Sequence, residues 1–131
     1  FKYLEGGPVE ITATYPAGVI GTTAENLFAA AEGELEEWSE LYPTFADIAE
    51  EEGFKDVAAS FRQIAKVETQ HEKRYRKLLE NVNGGTVFAK DGKVWWKCRN
   101  CGYVVEAAKA PALCPACKHA QEYFELLAEN Y

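Results

Sequence analysis

Two long segments of this 131-residue chain repeat their inward-type residues at steps of three and four, the spacing of one face of an α-helix. The first stripe runs Leu27, Ala30, Glu34, Glu37, Leu41, Phe45, Ile48, and the second Val57, Phe61, Ile64, Glu68, His71, Tyr75, Leu78, Val82. Thr22-x-x-Glu25 reads as a capping box at the start of the first helix, each side chain satisfying an amide at the helix end. Pro43 predicts a kink or a local break, because it removes an amide donor, and Gly53 predicts the helix end. The second helix is expected from about Lys55 to about Val82, stopped by Asn83-Gly84-Gly85. Two long helices on a tight link imply an antiparallel hairpin.

On either side of the hairpin the pattern changes. Gly6, Gly7, Pro8, Pro16, Gly18 and Gly21 surround the β-rich run Val9 to Tyr15, which predicts an extended connector. Phe1 to Gly7 reads as the last turn of an amphipathic helix stopped by glycines. With no methionine in the chain, the expectation is a fragment whose preceding segment is missing or supplied separately. After Gly85, Val87-Phe88-Ala89 and Val94-Trp95-Trp96-Lys97 around Asp91-Gly92 predict two short strands joined by a turn. Tyr123 to Leu127 reads as a strand or packed tail. The predicted organisation is therefore α plus small β: helix end and connector over 1–21, helical hairpin over 22–84, small β domain over 85–131.

Composition adds mainly exclusions. An apolar content of 47% is enough to build a core, and no stretch approaches the ~20 apolar residues of a membrane-spanning helix. No secretory pattern is visible at the start. A net charge of −7 argues against a nucleic-acid partner, which clustered Lys and Arg would attract. The dense run Lys73, Arg74, Arg76, Lys77 lies within a helical pattern and reads as a solvated face.

The chemistry lies in charged residues on the wrong face. Glu34, Glu37, Glu68 and His71 fall on the apolar stripes, where an unpaired carboxylate is disfavoured by several kcal/mol. Metal ions are partners that account for several converging carboxylates and an imidazole, and iron or manganese accepts both donor types. Glu68 and His71, at i and i+3, point the same way from one turn. One Glu-x-x-His helix and one Glu-bearing helix make half of a di-iron carboxylate bundle, so a second hairpin must supply the rest. The four cysteines, Cys98, Cys101, Cys114 and Cys117, form two Cys-x-x-Cys pairs that can present four thiolates tetrahedrally. Gly102 suits a tight turn aiming amides at sulfur, and His119 reads as an ordinary loop residue. Such a site fits zinc or iron equally, and implies a reducing compartment.

Together these motifs resemble rubrerythrin over essentially the whole chain. The resemblance rests on Phe1-Lys2-Tyr3-Leu4-Glu5-Gly6-Gly7, Tyr15-Pro16-Ala17-Gly18, Glu34-x-x-Glu37 with Tyr42-Pro43-x-Phe45, Glu68-x-x-His71-Glu72-Lys73-Arg74, and the two cysteine pairs with Gly102-Tyr103. It implies half of a ferritin-like four-helix bundle followed by a rubredoxin-like four-cysteine iron domain. It also implies reduction of hydrogen peroxide to water at a di-iron centre, with electrons delivered through the cysteine-bound iron. By the same resemblance Glu34 is a terminal ligand of one iron, His71 binds that iron, and Glu68 is a bridge. Glu37 is the labile carboxylate of the other iron, and Tyr42 a hydrogen-bond donor to the cluster. The implied partners are an N-terminal hairpin from another chain or fragment, a second copy in a head-to-tail dimer or higher oligomer, and reduced rubredoxin or an NAD(P)H-dependent reductase as electron donor. The expected setting is the cytoplasm, with no nucleic acid and no membrane. Two other functions remain open to the residues: a ferritin-like ferroxidase that handles iron, and a zinc-ribbon interaction module.

Overall fold

The structure, a computed structural model, describes residues 2–4 and 6–131. The expected helix end at Phe1 to Gly7 includes Phe1 and Glu5, which lie outside the described residues. Lys2 to Leu4 form a turn and bend, and residues 8–22 carry no regular structure. The chain divides into two compact units, Phe1–Leu79 and Glu80–Tyr131.

The first unit is built on an interrupted helix followed by a continuous one. Helix α1 spans Thr23–Glu36, a π-helical turn Glu37–Leu41, helix α2 Tyr42–Glu51 and helix α3 Lys55–Asn83, whose last turn belongs to the second unit. Thr22 caps α1 in full: its backbone N–H donates to Glu25 Oε2 at 2.8 Å, and Glu25 N–H donates to Thr22 Oγ1 at 3.3 Å. Pro43 explains the interruption. In an unbroken α-helix its ring would meet the Ser39 carbonyl, four residues back. The chain instead inserts the π-turn, so that Tyr42 N–H reaches the Glu37 carbonyl, and Pro43 falls in the first turn of α2, where no amide donor is needed. Gly53, at φ +88°, then reverses the chain while Phe54 N–H bonds to the Ala49 carbonyl at 2.7 Å.

The two helical arms run antiparallel. Phe61 on α3 faces Tyr42 and Phe45 on α2, with ring centroids 5.9 and 5.6 Å apart, while Arg62 pairs with Asp47 at 3.2 Å and with Glu50. Further along, His71 lies opposite Glu34. The fully buried positions are Ala31, Ala46 and Ala58, small residues that let the arms approach closely. The predicted stripes are only partly covered. Phe45, Ile48, Ile64 and Leu78 remain exposed, because a two-helix hairpin buries one line of contact and leaves the flank of each stripe in water.

The second unit is a three-stranded antiparallel sheet in the order β2-β1-β3, with β1 Ala89–Cys98, β2 Val104–Lys109 and β3 Phe124–Leu126. Here the sequence pattern misleads. The two strands expected around Asp91-Gly92 are one strand, β1, with an irregularity: pairing advances from Ala89 to Val94 while the partner moves only from Lys109 to Ala107. The Asp-Gly pair is absorbed as a bulge rather than a hairpin turn. The true neighbour, β2, lies just past the first cysteine pair and was not expected. Trp96, Phe124, Ala110, Cys98 and Cys114 form the core, and the Trp96 indole N–H donates to the Ala107 carbonyl at 3.0 Å. Two of the four cysteines are thus themselves core residues.

Candidate metal centres

The cysteine loops are built as near copies. In the first, Cys98 N–H bonds to the Tyr103 carbonyl and Gly102 N–H to the Cys98 carbonyl; in the second, Cys114 N–H bonds to the His119 carbonyl and Lys118 N–H to the Cys114 carbonyl. Each loop therefore closes back on its first cysteine, the buried one, and needs left-handed backbone one residue after its second. Gly102 supplies it at φ +80° without steric penalty, whereas Lys118 adopts φ +62° against the preference of a side-chain-bearing residue. Lys118 Nζ closes its own loop by donating to the Pro115 carbonyl at 2.9 Å. Its strained backbone went unread in the sequence, since nothing but the parallel with Gly102 marks it. His119 is half-buried rather than a free loop residue, with its ring edge-on to Tyr123 at 4.5 Å.

These loops bring all four sulfurs within 4.8 Å of one another. Cys98 and Cys117 are 3.7 Å apart, Cys101 and Cys114 3.6 Å. Disulfides would need about 2.05 Å. A tetrahedron with metal–sulfur bonds of about 2.3 Å has edges of about 3.8 Å, so the spacing is that of four thiolates around one ion. The electrostatics agree. The His119 amide pulls the Cys117 thiol down to about 5, while Cys101, despite the Tyr103 amide that favours its thiolate, is pushed up to about 12 by loss of solvent and by the sulfurs around it. Four sulfurs this close can all be thiolates only around a cation, and the two loop amides are already aimed at the sulfurs they would stabilise.

The second donor set sits on the hairpin. One ligand atom each from Glu34, Glu68 and His71 converge within 4.8 Å. His71 Nδ1 lies 2.5 Å from Glu68 Oε2 and 3.5 Å from Glu34 Oε2. Glu68 is buried at 8% exposure, the one charged side chain buried among the described residues, while the His71 side chain is half-exposed. Burial pushes the Glu34 carboxyl up, partly offset by His71 and reinforced by Glu68 and Glu37. Glu37 stands outside the converging group, at the first position of the π-turn, though its charge is felt at both Glu34 and Tyr42. Tyr42 is half-buried and stacked on Phe61; burial first, then the Glu37, Glu68 and Glu34 carboxylates, push its phenol up, so it keeps its proton. An oxygen-rich set completed by one imidazole, open on one side, fits iron.

Sequence reasoning missed what surrounds this set. Trp38 Nε1 donates to Glu72 Oε2 at 2.8 Å, and Arg76 binds Glu72 at 2.7 Å and Glu32 at 2.8 Å. Arg76 was read as part of a solvated basic run; Lys73 and Arg74 are exposed, but Arg76 is half-buried between two acids. The i, i+4 spacing of Glu72 and Arg76 was the available signal.

A carboxylate-imidazole set on a helical hairpin, followed by a tetrathiolate loop pair on a small sheet, defines an iron protein of the di-iron carboxylate class with a rubredoxin-like module. Comparison with known proteins agrees. Residues 3–79 match the rubrerythrin family model and residues 96–125 that of the rubrerythrin rubredoxin-like domain. The chain is 63% identical to a rubrerythrin of Porphyromonas gingivalis, covering 100% of this chain and 66% of that one. It is 56% identical to rubrerythrin-1 of Clostridium acetobutylicum, covering 100% and 69% respectively. A solved nigerythrin structure in a mixed-valence state aligns with TM-score 0.49 at 27% identity, over 92% of this chain and 56% of that chain. The chain belongs to the rubrerythrin family. It spans about two thirds of the length of these curated relatives. Iron is the metal that this membership implies at both centres, and both donor sets fit it.

Proposed function

We propose that the chain forms part of a peroxidase that reduces hydrogen peroxide to water, with two electrons and two protons consumed per peroxide, and supplies half of its di-iron ligands. The observation that carries the reading is the convergence of Glu34, Glu68 and His71 on the inner side of the hairpin, in one chain with a tetrathiolate site. Residues 22–84 provide the hairpin and its ligands, residues 85–131 the electron-transfer domain, and residues 6–21 a connector. Bound iron supplies redox electrons and Lewis acidity toward peroxide oxygens.

The residues of the chain do the rest. Glu34 and His71, from opposite arms of the hairpin, would hold the metal together with Glu68, the most buried of the set. Glu37 would be the adaptable carboxylate: it sits at the first position of the π-turn, outside the converging group, and could join the centre as its charge changes. The Tyr42 phenol, kept protonated by burial and by the nearby carboxylate charges, would serve as a hydrogen-bond donor to the centre. The amides of Tyr103 and His119 stabilise the thiolates of Cys101 and Cys117, and iron held there would supply one-electron chemistry.

The remaining ligands come from a second helical hairpin, which also covers the exposed flank of Phe45, Ile48, Ile64 and Leu78. We place the assembly in the cytoplasm as a homodimer or higher oligomer that receives electrons from reduced rubredoxin or an NAD(P)H-dependent reductase. No helix among the described residues is long and apolar enough to cross a membrane. The test is turnover by the complete assembly, with reduced electron donor, on peroxide and on oxygen. Preferential consumption of peroxide supports the proposal. A strong preference for oxygen would instead make the protein a ferroxidase.

A further inference from the structure

The proposed ligands are flanked by a polar tie between the two arms that no part of the reaction uses. Trp38 in the π-turn donates its indole N–H to Glu72 Oε2 on α3 at 2.8 Å. The other oxygen of Glu72 is taken by Arg76 Nε at 2.7 Å, and the second nitrogen of Arg76 crosses back to Glu32 Oε1 on α1 at 2.8 Å. The arms are thus joined twice. The two anchors on the first arm are six residues apart, about 9 Å along a helix at 1.5 Å per residue. Glu34 and Glu37 lie between those anchors, and His71 immediately precedes Glu72.

A double tie constrains what one tie leaves free. One hydrogen bond permits the arms to pivot about it; two, separated by more than a helical turn, fix both their slide and their tilt. This matters where Trp38 sits, because the π-turn that starts at Glu37 interrupts the regular α-helical hydrogen bonding of the first arm. Stability alone accounts poorly for the arrangement. The side chains of Arg76 and Glu32 are 40% and 46% exposed, and ion pairs of that exposure contribute little to folding. The tie also adds Glu72 and Glu32 to a neighbourhood already rich in carboxylates, which an apolar contact would avoid.

We propose that Glu72 is a positioning residue: held by Trp38 and Arg76, it sets Glu34 and Glu37 on the first arm at the correct height and angle against Glu68 and His71 on the second. The inference rests on the di-iron reading above. It gives Trp38 a role as a hydrogen-bond donor rather than as packing, and gives Arg76 a role as the cross-brace.

The test uses the complete assembly of this chain with its second hairpin. Trp38→Phe removes one N–H while keeping an aromatic ring, Glu72→Gln removes the charge, and Arg76→Lys keeps the charge but loses the fork. Ferrous-ion titration, the visible spectrum of the oxidised bundle and its midpoint potential are measured beside thermal melting of the metal-free assembly. Trp38→Phe and Glu72→Gln should each weaken iron binding in the bundle roughly tenfold, the scale of lost outer-sphere contacts. Both should shift the bundle spectrum and potential and leave the cysteine-bound iron spectrum and the metal-free melting unchanged, with Arg76→Lys in between. Parent-like affinity, spectrum and potential in both Trp38→Phe and Glu72→Gln would overturn the proposal, as would losses that merely track a lowered melting temperature. A parent assembly that binds no bundle iron would instead overturn the di-iron reading itself, and this inference with it.

Discussion

Lys118 and Gly102 occupy equivalent turns of the two cysteine loops, and only one of them is a glycine. The left-handed backbone disfavours a side chain by about 1–2 kcal/mol, so Gly102→Ala should destabilise the metal-loaded domain by about that amount in a denaturant titration. No atom lies within 4 Å of the position a Cβ would take there, so backbone strain is the whole of the effect. Lys118→Gly should leave stability within about 1 kcal/mol, because strain relief is offset by a more flexible unfolded chain. Its visible spectrum should match the parent. At this scale the inward acids were legible in the sequence, because Glu34, Glu68 and His71 contradict the apolar stripes that carry them. The tie through Trp38, Glu72 and Arg76 was not, since polar residues on an outer face look alike whether or not they bond across to a neighbour.

Helix ends and strand pairs show the same division. The capping box at Thr22, the stop at Gly53 and the extent of α3 follow from short-range chemistry and appear in the structure where they were expected. Thr22→Ala should remove about 1 kcal/mol of stability, read from thermal melting of the helical unit. The pH dependence has a definite sign. The Thr22 amide, and then its hydroxyl, hold the Glu25 carboxyl below the usual glutamate range, so the cap contributes fully above that range and is lost as pH falls through the lowered value. Amide exchange at the start of α1 should therefore quicken on acidification, and Glu25→Gln should remove the dependence. The sheet was harder to read. Asp91-Gly92 has the local signature of a hairpin turn, but the pairing of β1 with β2 and β3 is a tertiary matter that overrides it. Pro43 likewise announced a disruption without revealing that a π-turn would supply it.

At the level of the molecule, alanines decide how near the arms come and therefore whether their ligands meet. Ala58 is completely buried, so Ala58→Leu should force the arms apart, lower stability by about 1–3 kcal/mol and weaken bundle iron more than cysteine-bound iron. Calorimetry and metal analysis of the same sample check both halves of that expectation. The half-covered apolar stripes could be recognised from the sequence as inward faces, but their exposure could not, because periodicity marks which residues seek cover and says nothing of whether one hairpin provides enough. The central claim is that iron is what holds Glu68 and its neighbours inward. Its most direct test is iron content, with a visible spectrum, of the complete assembly carrying either the parent chain or Glu68→Ala. The account predicts about three irons per complete unit in the parent and about one in the variant, the red tetrathiolate spectrum persisting in both. Equal iron content in the two proteins would contradict it.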